Sequence, residues 1–174
     1  MHPTRSLLAI ACLSLSLSLG LGLAAAAEPE KSAHAHASDP PQRMAPVDVA
    51  LDAARIAGLP RVTATGTAHG KTLSCEGVSL AALLRASGAM PEEPLRGAQL
   101  ARVVVISARD GYRAAYSLAE LDPSLGAREV VLTDRCDGAA LDADDGPWRL
   151  IAPGESRPAR WVRQVESIRV IDAP

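Results

Sequence analysis

The stretch ARVVVISARDGYRAAYSLAEL, residues 101–121, contains most of the local signals that decide the fold. The apolar, β-branched run at residues 103–106 is typical of a strand buried on both faces. The Asp-Gly pair at 110–111 favours a tight turn. Residues 112–117 then predict a second strand, and LAEL at 118–121 predicts a short helical turn. The stretch therefore predicts a hairpin that leads directly into a helix.

Upstream of this stretch, two alternating segments predict another hairpin. Residues 61–65 and 71–75 alternate as half-buried strands do, and the His-Gly pair at 69–70 favours a turn between them. Before them, residues 47–49 predict a short strand, and residues 50–57 predict a short helix that glycine and proline then stop.

The remaining segments complete a domain of short elements. Residues 79–88 predict a helix that Ser79 caps and Gly88 ends, with its leucines on one face. Further strands are predicted at 129–133, 148–152 and 166–171. Many strands, tight turns and few helices indicate an α+β fold, a mixed β-sheet domain with short helices.

Length and composition exclude several classes of protein. The chain has 174 residues, enough for one domain with a sizeable core. Its formal net charge of -2 and its 2% aromatic content argue against a nucleic-acid binder. The sequence has no GxSxG, no phosphate loop, no dinucleotide fingerprint, no CxxC and no HExxH. A conventional hydrolase or nucleotide-binding enzyme is therefore not predicted.

The first part of the chain has the pattern of an export signal. Residues 1–27 combine Arg5, a long apolar run and a closing run of alanines, which predicts a cleaved signal peptide. Residues 28–46 are rich in proline, alanine and charge, which predicts a disordered linker before a domain at 47–174. We therefore expect a periplasmic or secreted protein without a stable membrane span after cleavage.

Two cysteines, Cys75 and Cys136, remain after signal cleavage. In an oxidising compartment they are able to form one disulfide, which would close a loop of about 60 residues. The alternative is two free thiols. The sequence leaves both interpretations open, because it does not show how close the two Cα atoms come.

Isolated polar residues in the domain favour structural roles. His69 precedes Gly70 and fits a hairpin turn better than a catalytic base. The acidic residues Asp142, Asp144 and Asp145 lie in a polar turn and are expected to be solvated. We predict no metal site and assign no catalytic residue.

A basic cluster near the C-terminus is more informative. Arg157, Arg160 and Arg163 fall within seven residues, next to Gly154 and Trp161. Guanidinium groups bind phosphate or carboxylate through two parallel hydrogen bonds, and a glycine lets a backbone amide approach the same anion. The alternative is an exposed basic edge, and spacing alone does not decide between the two.

Five short motifs follow one another between residues 60 and 171. They are EGVSLAALL at 76–84, DGY at 110–112, DGAAL at 137–141, GPWRLIAPG at 146–154 and RPARW at 157–161. Their order resembles the molybdopterin-binding domain of the sulfite oxidase family, with Arg160 where that family has lysine. The resemblance implies a mixed sheet that cradles a pterin cofactor, molybdopterin. It implies that Arg157 and Arg160 bind the pterin phosphate, with Gly154 and Trp161 beside them in the cofactor site.

The resemblance supports two functions. One is an exported molybdopterin-dependent oxidoreductase, which transfers an oxygen atom at molybdenum and works with a redox partner protein. The other is a non-catalytic periplasmic module that binds a pterin or another small anion, or serves as an accessory protein, and has lost molybdenum. In the family a cysteine upstream of the Gly-Val motif holds the metal, whereas Cys75 lies in a predicted strand directly before that motif. We therefore expect Cys75 to be structural.

Overall fold

The computed structural model describes residues 43–173. The predicted signal peptide and residues 28–42 of the predicted linker lie outside these described residues. In chain order the elements are β1 (Val47–Val49), α1 (Ala53–Ala57), β2 (Arg61–Ala68), β3 (Lys71–Ser79), α2 (Leu80–Ala86), β4 (Arg102–Ala108), β5 (Arg113–Ser117), α3 (Leu118–Leu121), β6 (Val131–Cys136), β7 (Ala139–Ala140), β8 (Arg149–Ile151) and β9 (Val165–Asp172). Two 3₁₀ turns, Gly97–Ala101 and Pro158–Arg160, complete the described chain.

The strands form two antiparallel sheets. The terminal sheet has the order β1-β9-β4-β5. The hairpin sheet has the order β2-β3-β6, and the outer edge of β6 is shared by β7 and β8. The predicted α+β class is confirmed. The expected mixed sheet is instead two sheets whose pairings are all antiparallel in the described part of the chain, and tight turns account for the β2–β3, β4–β5 and β6–β7 pairs.

Three local predictions are corrected by the structure. Alternate residues of β4 are buried and half-exposed, so only one face of this strand packs on the core. The first helix begins after Asp52, whose side chain accepts a hydrogen bond from the Arg55 amide. Ser79 precedes α2 but makes no side-chain cap hydrogen bond, because it still belongs to β3.

One hydrophobic core joins the two sheets and α2. The terminal sheet contributes residues such as Val104 and Ile168, the hairpin sheet Val78 and Leu132, and the helix Leu84. The sparse aromatic content explains why aliphatic side chains fill this core. Burial of these side chains is the main stabilising contribution to the fold.

A buried arginine fixes the start of the described chain. Arg102 donates hydrogen bonds to the carbonyl oxygens of Ala45 (2.7 Å) and Val170 (3.2 Å). Asp172 Oδ2 accepts the amide hydrogen of Met44 at 2.7 Å. The backbone is thus anchored to the terminal sheet from Met44 onward, three residues before the start of β1.

The structure decides between the two cysteine interpretations in favour of a disulfide. Cys75 in β3 lies directly opposite Cys136 in β6, with their Cα atoms 4.0 Å apart and their sulfur atoms bonded. The strand predicted at 129–133 begins two residues later and extends to Cys136, which brings the two residues into register. The disulfide fits a protein of an oxidising compartment.

Gly77 allows β3 and β6 to approach closely at a β-bulge. The pairing register shifts between Glu76 and Gly77. A Cβ atom at Gly77 would lie 2.0 Å from the Leu132 carbonyl oxygen and 2.6 Å from the Thr133 Cα atom. Both are backbone atoms of the neighbouring strand, so a side chain here would force the strands apart.

We therefore expect Gly77→Ala to lower the free energy of unfolding by about 3 kcal/mol. Denaturant unfolding followed by circular dichroism measures this loss. Gly58→Ala is the control, because a Cβ there would lie 3.4 Å from the nearest atom, the Arg55 carbonyl oxygen, at a φ of -77°. A Gly77→Ala variant as stable as wild type would show that the bulge is not constrained in this way.

Candidate anion-binding cleft

A cleft of about 440 Å³ opens between the β2–β3 turn and the C-terminal segment. Its walls combine apolar side chains with several charged ones. The lining residues are Ala68, His69, Lys71, Leu73, Asp145, Arg149, Pro158, Trp161 and Arg163.

The β2–β3 turn brings His69 and Lys71 to the cleft. His69 and Gly70 have φ angles of +51° and +79°, the left-handed pair that a two-residue hairpin turn requires. The prediction that His69 occupies a turn is confirmed, and the turn also places its side chain at the cleft. The Lys71 side chain is 72% exposed and lies 3.5 Å from Asp137, a surface pair that leaves its ammonium group accessible.

Trp161 forms the apolar wall of the cleft. Its indole packs against Gly66 in β2, where a Cβ atom would lie only 2.4 Å from Cη2. The indole Nε1–H donates to the Ala152 carbonyl oxygen at 2.9 Å. Glycine in the middle of β2 and this hydrogen bond together fix the position of the ring.

Asp145, Arg149 and Arg163 form the charged wall. Arg149 Nη1 and Asp145 Oδ2 are 2.5 Å apart, and the Arg149 side chain is 10% exposed. The Nε atom of Arg149 is buried and has no hydrogen-bond acceptor among residues 43–173. Arg163 is 62% exposed, and its Nε lies 3.9 Å from Asp145 Oδ1. Asp145, together with the Asp137 carboxylate that pairs with Lys71, therefore offsets two of the three positive charges of the lysine and the two arginines.

Arg160 lies outside this cleft, in an ion-pair network of its own. Its Nε and Nη2 atoms contact Glu155 Oε1 at 2.7 and 2.5 Å, and Nη1 contacts Glu120 Oε1 at 3.1 Å. Nη1 also donates to the Ala115 carbonyl oxygen, and the guanidinium stacks 4.1 Å from the centre of the Tyr116 ring. Its donors are largely used by the protein itself.

The charged groups of this network, Arg160, Glu120 and Glu155, stabilise one another. Burial opposes the charge of Arg160, but Glu120 and Glu155 outweigh it and raise the pKa of the guanidinium above its ordinary value. Burial, aided by Glu155, raises the pKa of Tyr116 far above its ordinary value. The Tyr116 hydroxyl donates to the Arg160 carbonyl oxygen at 2.9 Å. This network fixes the segment that carries Trp161 into the cleft.

The structure divides the basic cluster that the sequence singled out. Trp161 and Arg163 reach the cleft, whereas Arg157, Arg160 and Gly154 do not line it. Arg157 and Gly154 are exposed. These side chains lie on different sides of the segment because successive residues of the 3₁₀ turn Pro158–Arg160 point in different directions.

Sequence reasoning did not select Lys71, Asp145 or Arg149 as site residues. Asp142 and Asp144 are exposed as expected, but Asp145 is half-buried and paired with Arg149. Arg149 appeared only as part of a motif, and Lys71 only as part of a strand. Nothing local to these residues indicates that β3 and the 145–163 segment meet across one cleft.

The donor chemistry of the described residues fits a phosphate better than molybdenum. Residues 43–173 contain no group of three or more histidine, cysteine, aspartate or glutamate side chains able to hold a metal ion. Both cysteines of this region are joined in the disulfide, so neither supplies the thiolate that holds molybdenum in the sulfite oxidase family. The cationic cleft, in contrast, offers donors suited to a phosphate.

Comparisons with known proteins do not identify a family. No model of a known protein family matches the chain, and no curated protein matches it. Within the described residues, no helix has both the length and the apolar character needed to cross a membrane.

Proposed function

We propose that this protein is an exported binding module for a small anionic molecule that carries a planar ring. The observation behind this proposal is the cleft in which Trp161 faces Lys71, Arg149 and Arg163. A phosphate-bearing pterin, the cofactor class suggested by the motif order, combines the two features that such a cleft would bind.

Charge and burial support an anion in this cleft. Asp145 and Asp137 offset two of the three cations, so a ligand phosphate would still find a net positive potential. Arg149 is held rigidly by its ion pair, so little side-chain entropy is lost when a ligand binds. Lys71 and Arg163 are exposed at the cleft, and their surface ion pairs with Asp137 and Asp145 are weak enough to be exchanged for contacts with the anion.

The aromatic wall supports a ring. Trp161 is 6% exposed and locked against Gly66, so a small part of its indole borders the cleft and is presented without further ordering. Leu73 and Pro158 extend the apolar part of the cleft. A planar heterocycle placed there would bury apolar area while its charged group contacts the cations.

A molybdopterin-dependent oxidoreductase of the sulfite oxidase type is the second candidate, supported by the order of the five motifs. We favour the binding module because Cys75, the cysteine nearest the Gly-Val motif, is oxidised in the disulfide. Elemental analysis of the protein purified from cells separates the two candidates. A stoichiometric molybdenum content would overturn the binding module in favour of the oxidoreductase, and its absence together with pterin binding would support the module.

We expect Arg163→Gln and Lys71→Gln each to weaken binding of a phosphate-bearing pterin about tenfold, because each removes one charge-assisted hydrogen bond to the phosphate. Isothermal titration calorimetry on the full chain measures the dissociation constant. Neither variant should lose stability, since both side chains are exposed.

Two further variants locate the site. Arg55→Gln removes an exposed arginine of α1 that does not line the cleft, and it should bind as wild type does. Arg157→Gln tests the position expected from the motif order. If Arg157→Gln weakened binding while Arg163→Gln did not, the anion would bind outside this cleft.

A further inference from the structure

Exposed arginines gather beside the cleft without acidic partners. Arg109 and Arg113 flank the β4–β5 turn, and Arg157 precedes the 3₁₀ turn. All three are exposed, and within residues 43–173 their side chains make no hydrogen bond or ion pair. Several other arginines are paired, for example Arg61 with Asp134 and Arg169 with Asp48, while the exposed Arg55 and Arg96 are isolated from the rim.

The two segments that carry these arginines contact each other. The Tyr112 hydroxyl donates to the Ala159 carbonyl oxygen, and the Arg109 amide donates to the Gln164 carbonyl oxygen at 3.1 Å. The β4–β5 turn and the C-terminal segment also line a common cavity of about 200 Å³, next to the cleft. We call the surface formed by Arg109, Tyr112, Arg113 and Arg157 the arginine rim.

The composition of the arginine rim is that of a protein-binding surface. Tyr112 is 48% exposed, one of the few large side chains of this kind that is not buried in the described chain. Tyrosine and arginine are the residue types most enriched among energetically dominant contacts of protein interfaces. The hydroxyl of Tyr112 is already bonded within the chain, so the side chain is held in position for a partner.

The charge of the arginine rim indicates which partner fits. The chain as a whole has a net charge of -2, so this local excess of cations is not a general property of its surface. Of the nearby carboxylates, Asp110 accepts the Tyr112 amide hydrogen and Asp145 is paired with Arg149. Asp110, the exposed Asp144 and Glu166, which lies in β9 opposite the end of β4, offset part of the positive charge to which Arg163 also contributes, and carboxylates in a partner would complete it.

We propose that the arginine rim docks an acidic segment of a partner protein beside the cleft. An anionic membrane surface fits less well, because Tyr112 is the one large exposed apolar side chain within the rim and offers little area to insert. The interaction is independent of what the cleft binds, since Arg109 and Arg113 do not line it.

The test uses the full chain and a fluorescent deca-glutamate peptide as the probe. Fluorescence anisotropy at low salt should detect binding that weakens as salt is raised. The double variant R109E/R113E should bind at least about tenfold more weakly, because each reversal replaces an attraction with a repulsion.

The matched control is R55E/R96E, which makes the same change in net charge at two exposed arginines outside the rim. It should bind within about twofold of wild type. Equal losses in the two double variants would mean that net charge alone drives binding, and no binding by wild type would overturn the proposal. Tighter binding to phosphatidylserine vesicles than to the peptide, lost in R109E/R113E, would assign the rim to a membrane instead.

A pterin titration separates this proposal from the proposed function. R109E/R113E should retain wild-type affinity for a phosphate-bearing pterin while losing the peptide. Loss of both ligands together would contradict a docking surface distinct from the cleft.

Discussion

Trp161→Ala is expected to abolish most ligand binding and to lower the free energy of unfolding by about 4 kcal/mol. The side chain is 6% exposed, so its removal leaves a cavity against Gly66 and leaves the Ala152 carbonyl with the Glu155 amide as its remaining donor. For the ligand, the apolar wall of the cleft disappears. Affinity should fall by about tenfold or more, because the cleft loses an apolar wall and the segment that carries Arg163 loses its support.

Two variants keep this prediction testable if Trp161→Ala does not fold. Trp161→Phe retains an aromatic wall but lacks Nε1–H, so it should lose stability but bind within a few-fold of wild type. Gly66→Ala keeps the tryptophan but places a methyl group 2.4 Å from its ring, so it should displace the indole and weaken binding. Wild-type affinity in Gly66→Ala and Trp161→Phe alike would show that the ring position does not matter.

Removal of the disulfide is expected to lower the free energy of unfolding strongly. The bond closes a sequence separation of 61 residues between Cys75 and Cys136. Without it the unfolded chain gains loop entropy, and the double variant Cys75→Ala/Cys136→Ala should lose about 4 kcal/mol of unfolding free energy. Denaturant unfolding of the oxidised protein and of the variant measures the difference.

Dithiothreitol provides the internal control for the disulfide. It should lower the stability of wild type toward that of the double variant and leave the variant unchanged. A thiol titration of the denatured, unreduced protein should find no free thiol at either position. Two free thiols, or a variant as stable as wild type, would contradict a stabilising disulfide.

Local patterns predicted the elements well where turn chemistry was strong. The Asp-Gly and His-Gly pairs located the turns before β5 and β3, and LAEL gave α3 at its observed bounds, Leu118–Leu121. The capping box between Ser117 and Glu120 explains why so short a helix is well defined. The lengths of β2 and β3 were underestimated, because cross-strand pairing extends them beyond the alternating segments, whereas β8 at Arg149–Ile151 is shorter than the strand predicted at 148–152.

The cleft was only partly predictable. Of the C-terminal residues singled out from the sequence, Trp161 and Arg163 line the cleft, and Arg163 is the one arginine of that cluster that does so. Lys71 and Arg149 were not predicted as site residues, because they come from two strands that are distant in sequence. Arg160 looked equivalent to Arg163, yet Glu120 and Glu155, 40 and 5 residues away, occupy its guanidinium.

Local sequence patterns were sufficient to predict the class of fold and the short elements of the 101–121 stretch, because turn residues and side-chain periodicity act within a few residues. The bond between Cys75 and Cys136, the single buried face of β4 and the availability of each arginine became clear from the folded chain. Those outcomes depend on strand register and on acids brought close from elsewhere in the chain. Register is a property of paired strands, and a charge is neutralised by its neighbours in space.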